Sequence, residues 1–287
     1  MKRVALIGFG EVGQTLAGDL RGKVDLVAWD IAFADPTSLP SRALPSHDVR
    51  RAGSAAAAVE GADLVISAVT AAQDLDAARA AAPGLAKDAF FLDLNSCSPG
   101  QKTASAEVVE SDGGRYVEAA VMSPIGPKRI ASPMLLGGAH AEAFLTAAGG
   151  LGFDGAVAYS PVVGRAAATK LCRSVMIKGV EALLTESLLA ARHYGVEQVV
   201  LDSLSDLLPL PDWNKTAHYM ISRSLEHGTR RAEEMREAAR TVEEAGVPAP
   251  MSHAIAERQA WAADHRAALS PDLIAMLDAV IARLERK

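Results

Sequence analysis

The sequence predicts an α/β chain in which a doubly wound parallel sheet is followed by an all-α C-terminal domain. Three observations predict it. The apolar run Val4-Ala-Leu-Ile7 passes through a glycine turn straight into a helix-period pattern at Val12, Leu16 and Leu20. Short apolar runs then alternate with helical patterns as far as Tyr159. Beyond Gly164 no strand pattern recurs, which sets the expected domains at 1–162 and 163–287.

The first crossover carries the most information. Gly8-Phe9-Gly10-Glu11-Val12-Gly13 has the spacing Gly-x-Gly-x-x-Gly between a strand and a helix. Gly8 suits the tight turn, Gly10 leaves room for a diphosphate against the backbone, and Gly13 lets the helix pack closely on the strand. The diphosphate would lie on the free N–H groups that open the helix. The next apolar run, Val24 to Trp29, ends at Asp30. A carboxylate about 20 residues past the glycines accepts hydrogen bonds from a ribose 2′-hydroxyl and repels a 2′-phosphate. This unit implies a Rossmann-like dinucleotide site that favours NAD, with NADP possible.

Further elements follow in order. Residues 33–48, rich in Pro and Ser, read as an irregular connection, and the alanines of 53–60 as a helix. A buried strand over 62–69 ends at Thr70, and a helix over 73–82 stops at Pro83-Gly84. The strand 89–94 leads into Asn95-Ser96, after which Ser98 and Pro99 open a helix. Ligands of such sheets lie beyond the carboxyl ends of the strands, which singles out the Gly8–Gly13 loop, Asp30, Val69-Thr70 and Asn95-Ser96. Three more strands are expected at 116–121, 133–137 and 155–159. One long helix then spans 165–194 and stops at Gly195. Helices are expected near 196–205, 213–227, 229–244 and 252–264, and a last one runs from Ser270-Pro271 to about Arg286.

Composition narrows the function classes. With 49% hydrophobic and 22% charged residues the chain is globular rather than disordered. A net charge of −6 argues against a general binder of nucleic acid or anionic membranes. Met1-Lys-Arg leads directly into the first strand, and no apolar run reaches spanning length, so a cytoplasmic location is expected. Cys97 and Cys172 have neither metal-ligand nor disulfide-framework spacing, and no metal is expected.

Hydride chemistry on a nicotinamide needs a partner for the accompanying proton. Lys170 follows Gly164 by about a turn and a half of helix near the domain junction. Partial desolvation there would pull its pKa toward neutrality and suit it to general acid/base work. Ser174 lies one turn further on and could bond a substrate oxygen, with Arg173 on the flank. The same residues also fit a lysine whose stem covers apolar surface while its head reaches water.

Four segments occur in the order of a known family: Gly8 to Gly13, Asp93-Leu-Asn-Ser-Cys-Ser-Pro99, Val117-Glu-Ala-Ala-Val-Met-Ser123 and Gly164-Arg-Ala-Ala-Ala-Thr-Lys170. In these the chain resembles the β-hydroxyacid dehydrogenases, which include 3-hydroxyisobutyrate dehydrogenase and 6-phosphogluconate dehydrogenase and to which imine reductases are related. His227-Gly-Thr-Arg-Arg-Ala-Glu-Glu-Met235 resembles the subgroup with an uncharacterised helical C-terminal domain. The resemblance implies an NAD(P)-dependent oxidoreductase acting on a small hydroxy compound, with Lys170 as the proton-relaying lysine. It puts Ser174 where the family usually has a substrate-positioning asparagine, Asn95 and Ser96 at the pair near the nicotinamide, and Val69-Thr70 on the loop over the cofactor. It also implies a homodimer.

Two departures accompany the resemblance. The family's substrate-carboxylate loop becomes Glu118-Ala-Ala-Val-Met-Ser-Pro124, with Ser123 displaced by one position and a proline that cannot donate an N–H. The helical lysine expected before Gly246-Val-Pro248 is absent, leaving Arg230 or Arg231 to take over. An imine reductase on the same fold and a non-catalytic NAD(P)-binding sensor or scaffold are therefore the alternatives.

Overall fold

In the computed structural model the described residues are 1–204 and 212–284. The chain divides into two compact units, Met1–Lys170 and Leu171–Lys287.

The first unit is built on strands β1 (Arg3–Ile7), β2 (Asp25–Trp29), β3 (Arg50–Arg51), β4 (Leu64–Ser67), β5 (Phe90–Asp93), β6 (Arg115–Val121), β7 (Met134–Gly137) and β8 (Ala156–Ser160). Interleaved with them are helices α1 (Glu11–Leu20), α2 (Leu39–Ala43), α3 (Ala55–Val59), α4 (Asp74–Ala81), α5 (Pro99–Ser111), α6 (Ile125–Lys128) and α7 (Ala141–Ala147). The strands form one sheet in the order β3-β2-β1-β4-β5-β6-β7-β8. All neighbours are parallel except β6 and β7, which run antiparallel. Because β1 pairs with β2 on one side and β4 on the other, the strand order reverses at β1. A crevice opens at such a reversal, beyond the carboxyl ends of the strands.

Strand periodicity sorts the core onto two faces. Val4 and Leu6 join Leu16, Leu20, Phe144 and Phe153 on one side, while Ala5 and Ile7 join Val65, Phe91 and Tyr116 on the other. The second face is rich in alanine, with Ala55, Ala58, Ala77, Ala78 and Ala81 bringing α3 and α4 close to the sheet. Two details differ from the sequence reading. The connection after Asp30 is not irregular: a 3-10 turn at Ile31–Ala34 buries Phe33 and is followed by α2. The two-residue β3 is too short to leave a periodic signal.

Long helix α8 (Arg165–Tyr194) carries the division between the units within it. The second unit continues with α9 (Glu197–Leu204), α10 (Trp213–Glu244), α11 (Pro250–Ala263) and α12 (Leu273–Leu284). Its main core joins Leu188, Leu201, Trp213, Ile221, Leu225, Met276 and Leu277. The two helices expected at 213–227 and 229–244 are one, and Asp212 caps its start by accepting from the Lys215 N–H at 2.9 Å. Gly228 is an interior helical residue: a Cβ there would stand 2.3 Å from the Gln259 carbonyl oxygen of α11. It permits close helix contact rather than ending a helix. The expected helix ends at Ser205 and Arg286 lie outside the described residues.

Candidate nucleotide and active site

The three glycines of the first loop differ physically. Gly8 has φ +96°, and a Cβ there would lie 2.3 Å from the Ala68 carbonyl oxygen. At Gly13 a Cβ would meet the Gly8 carbonyl oxygen at 2.2 Å. Both are therefore demanded by the protein's own packing. Gly10 is different, because a Cβ would meet nothing within 4 Å. Its backbone borders open space at the start of α1, where no side chain caps the helix. Uncapped N–H groups beside an open glycine fit a dinucleotide diphosphate.

Phe9 turns its ring into the core, against Phe33 and edge-on to His47. Glu11 opens α1 on the exposed side and Val12 is half-buried. Asp30 stands at the end of β2 and accepts the Phe9 N–H at 2.6 Å through one oxygen and the Ala32 N–H at 2.8 Å through the other. The carboxylate thus ties the glycine loop to the turn after β2. Each of its oxygens keeps a lone pair for a ribose hydroxyl.

Beyond β4 and β5 the chain builds a buried polar network. Asn95 accepts the Val69 N–H at 2.7 Å and donates to Ser67 Oγ at 2.9 Å and to Asp74 Oδ1 at 2.6 Å. Its own N–H donates to Asp93 Oδ1 at 2.9 Å. Lys102 of α5 pairs with that carboxylate at 2.7 Å, and the Tyr116 hydroxyl donates to it at 2.6 Å. Asp74 also accepts from Cys97 at 3.1 Å and from Ser105 at 2.9 Å. Burial, resisted by Lys102 and reinforced by the Asp74 carboxylate, raises Asp93 to about 7. Burial opposes the charge of Asp74, yet Lys102 and its hydrogen-bond donors hold it below the ordinary aspartate value. Burial pushes the Cys97 thiol far up, so this cysteine is a packed hydrogen-bond donor and no nucleophile.

Asp74, Asp93 and Cys97 bring possible metal-ligating atoms together, but Lys102 already stands against Asp93 as the counter-charge. A divalent ion would have to displace that ammonium.

Lys170 donates to Ser96 Oγ at 2.6 Å, at the loop that follows β5. The start of α8 is fixed by Glu118 of β6, whose fully buried carboxylate accepts the N–H groups of Gly164 and Ala167. Burial raises the Glu118 pKa, against the pull of those N–H donors. Room for the side chain comes from Gly137, its partner across β6 and β7, where a Cβ would lie 2.6 Å from Glu118 Oε2.

Other expected residues fall as follows. Val69 is half-buried in its loop and Thr70 is exposed beside it. Ser123 donates to the carbonyl of its neighbour Pro124 at 3.2 Å. Ser174 is buried one helical turn beyond Lys170 on α8. In the second unit Arg231 pairs with buried Glu181, and Glu234 receives both Lys178, at 2.8 Å, and Arg230. The sequence reading missed Asp74, Lys102, Tyr116 and the capping role of Glu118. A signal existed for Lys102, which occupies the inward side of its helix with Ser98, Ser105 and Val109.

Comparison with known proteins identifies the family of the first unit. A family model described as the NAD binding domain of 6-phosphogluconate dehydrogenase matches residues 3–151, and a model of a domain of unknown function (DUF1932) matches residues 191–262. A conserved hypothetical protein from Sinorhizobium meliloti 1021 is 37% identical, with 99% of this chain and 97% of that one covered and a TM-score of 0.78. A conserved protein of unknown function, described as structurally similar to 3-hydroxyacid dehydrogenases, is 30% identical over 91% of this chain and 97% of its own, with a TM-score of 0.70. The 3-hydroxyisobutyrate dehydrogenase of Mycobacterium tuberculosis shares the fold at 20% identity, 98% and 99% coverage and a TM-score of 0.73. Among the described residues no helix is long and apolar enough to cross a membrane. An open glycine loop, an acidic residue closing β2 and a matching domain model make this an NAD(P)-binding chain, and it belongs to the family of the 6-phosphogluconate dehydrogenase NAD-binding domain.

Proposed function

We propose that the protein is an NAD(P)-dependent oxidoreductase that interconverts a small hydroxy compound and its carbonyl form, with Lys170 as general acid/base. The observation that carries this reading is the 2.6 Å hydrogen bond from Lys170 Nζ to Ser96 Oγ. It ties an amine to the carboxyl end of β5, on the side of the sheet where a dinucleotide lies. Nicotinamide, when bound, supplies the carbon that exchanges a hydride with the substrate. Lys170 takes the hydroxyl proton as the carbonyl forms, or returns it in the reverse direction. Ser96 holds the amine in place before and after that transfer. Asp30 receives the ribose hydroxyls, which favours NAD, and the homodimer uses the exposed side of α8.

Replacing Lys170 by Ala tests the assignment. Turnover on a panel of small hydroxyacids, read from reduced-nicotinamide absorbance, should fall at least about a hundredfold. Cofactor affinity, measured by fluorescence titration, should stay within about twofold, because the amine is not needed to seat the diphosphate. Unimpaired turnover overturns the role of Lys170.

A second reading, reduction of an imine, is favoured by the loop after β6. Pro124 offers no N–H there and the Ser123 hydroxyl is turned onto the Pro124 carbonyl, a poor cradle for a carboxylate. Turnover of cyclic imines without turnover of any hydroxyacid would select that reading.

A further inference from the structure

We propose that Asp74 is a positioning residue: by orienting the Asn95 amide it locks the loops after β4 and β5 together and so fixes where the Ser96 hydroxyl meets the Lys170 ammonium. This rests on the reading of Lys170 as the proton carrier.

The Asn95 amide can sit only one way round. On one side it meets the Val69 N–H, which needs an acceptor, and on the other it meets the Asp74 carboxylate and the Ser67 hydroxyl. Flipping the amide would set its NH2 against an N–H and its oxygen against a carboxylate. Asp74 therefore dictates the orientation, and the orientation joins Val69 to Asn95. Asp93 holds the same residue from the other side through the Asn95 N–H. Ser96, the next residue, leaves a backbone fixed at side chain and main chain alike, and its hydroxyl receives Lys170 at 2.6 Å.

Asp74 itself is 1% exposed and accepts from Asn95, Cys97 and Ser105. The charged and titratable groups facing it are Lys102 from α5, Asp93 from β5 and Cys97. Side chains behind a reactive group that lock its rotamer in this way control geometry without touching the reacting atoms.

The test compares Asp74→Asn with Ser96→Ala in the full chain. Asp74→Asn keeps the volume but places an NH2 among groups that donate to the carboxylate. In cofactor-free protein, the rate at which an amine-acylating ester modifies Lys170 is read by peptide mass spectrometry. Loss of the Ser96 grip should change that rate by about threefold or more in Ser96→Ala, and Asp74→Asn should move it in the same direction by a comparable factor. In the loaded enzyme kcat should fall about 10–100-fold with KM for cofactor nearly constant. Asn95→Ser, which removes the amide but leaves Asp74 paired with Ser105, repeats the comparison should Asp74→Asn fail to fold. A wild-type rate of Lys170 modification in Asp74→Asn, or in Asn95→Ser where it stands in for that variant, overturns the proposal. Acylation needs no turnover, so a failure of the Lys170→Ala test would be seen separately.

Discussion

Lys102 shows how far a single buried charge is committed. Its side chain is 1% exposed and its ammonium is 2.7 Å from an Asp93 carboxylate that is itself fully buried. Taking both ions out of water costs several kcal/mol each, and the pair persists because the Tyr116 hydroxyl and the Asn95 N–H also donate to the Asp93 carboxylate. Removing one partner leaves the other buried and uncompensated. Lys102→Met should therefore destabilise the first unit by about 3–5 kcal/mol in denaturant unfolding, far more than the loss of an exposed ion pair. A loss under about 1 kcal/mol would mean that the pair carries no charge. Asp63 gives a milder case with a pH signature. It accepts the N–H groups of Lys2, at 2.5 Å, and of Arg3, at 3.0 Å, and these bonds hold its carboxyl below the usual aspartate value. A group whose folded pKa is depressed contributes stability above its unfolded value and loses it as pH falls through the folded one. The stability gap between wild type and Asp63→Asn should thus be present at neutral pH and close on acidification below about pH 4. A gap independent of pH would assign the effect to shape rather than charge.

Among the elements, α10 and α11 show where local propensity and packing compete. Alanine is favoured over glycine in a helix interior by about 1 kcal/mol, so Gly228→Ala should stabilise α10 if propensity ruled. Packing opposes it, because the new Cβ would lie 2.3 Å from the Gln259 carbonyl oxygen and 2.8 Å from the Ala263 nitrogen, both backbone atoms that move only with their helix. Overpacking of this kind costs about 1–3 kcal/mol, which outweighs the gain. Gly228→Ala should lower the melting temperature, and a rise would show that the helices are further apart. The same glycine explains what the sequence could not convey. A glycine in a helical pattern reads as a helix end when its contact lies more than thirty residues away in the chain. Glu118 is the parallel case in the sheet. Its charge inside an apolar strand was visible, but its role depends on the start of α8 reaching it and on Gly137 leaving room. By contrast, strands β1, β4 and β5, helix α8 and the glycine loop were legible, since continuous apolar runs, a 3.6-residue period and turn chemistry are local signals. The buried network around Asp74, Asn95 and Asp93 was not, because its members come from β4, α4, β5, α5 and β6 and share no common spacing.

At the scale of the molecule, the apolar residues left outside both cores make the last prediction. Met176, Leu183 and Tyr194 on α8 are 68%, 62% and 76% exposed, although each is large enough to contribute substantially when buried. Separations of seven and eleven residues are close to whole numbers of helical turns, so the three lie along one line of the helix. That line runs for about 27 Å, at 1.5 Å per residue. Ser187 and Ala190 complete it with small side chains, and both are exposed. Scattered exposed hydrophobics need no explanation, but an aligned row on a thirty-residue helix is a surface suited to another helix. A second copy of the same chain would supply a matching row under two-fold symmetry, in which each residue would meet its own equivalent or a near neighbour. Wild-type protein should accordingly sediment as a dimer at micromolar concentration. Leu183→Glu, which places two carboxylates at the middle of the row, should shift it to monomer. The cofactor affinity of that monomer should remain, since Gly8, Gly10, Gly13 and Asp30 all belong to the first unit. A wild-type monomer, or a dimer indifferent to glutamate at this position, would remove α8 from the interface.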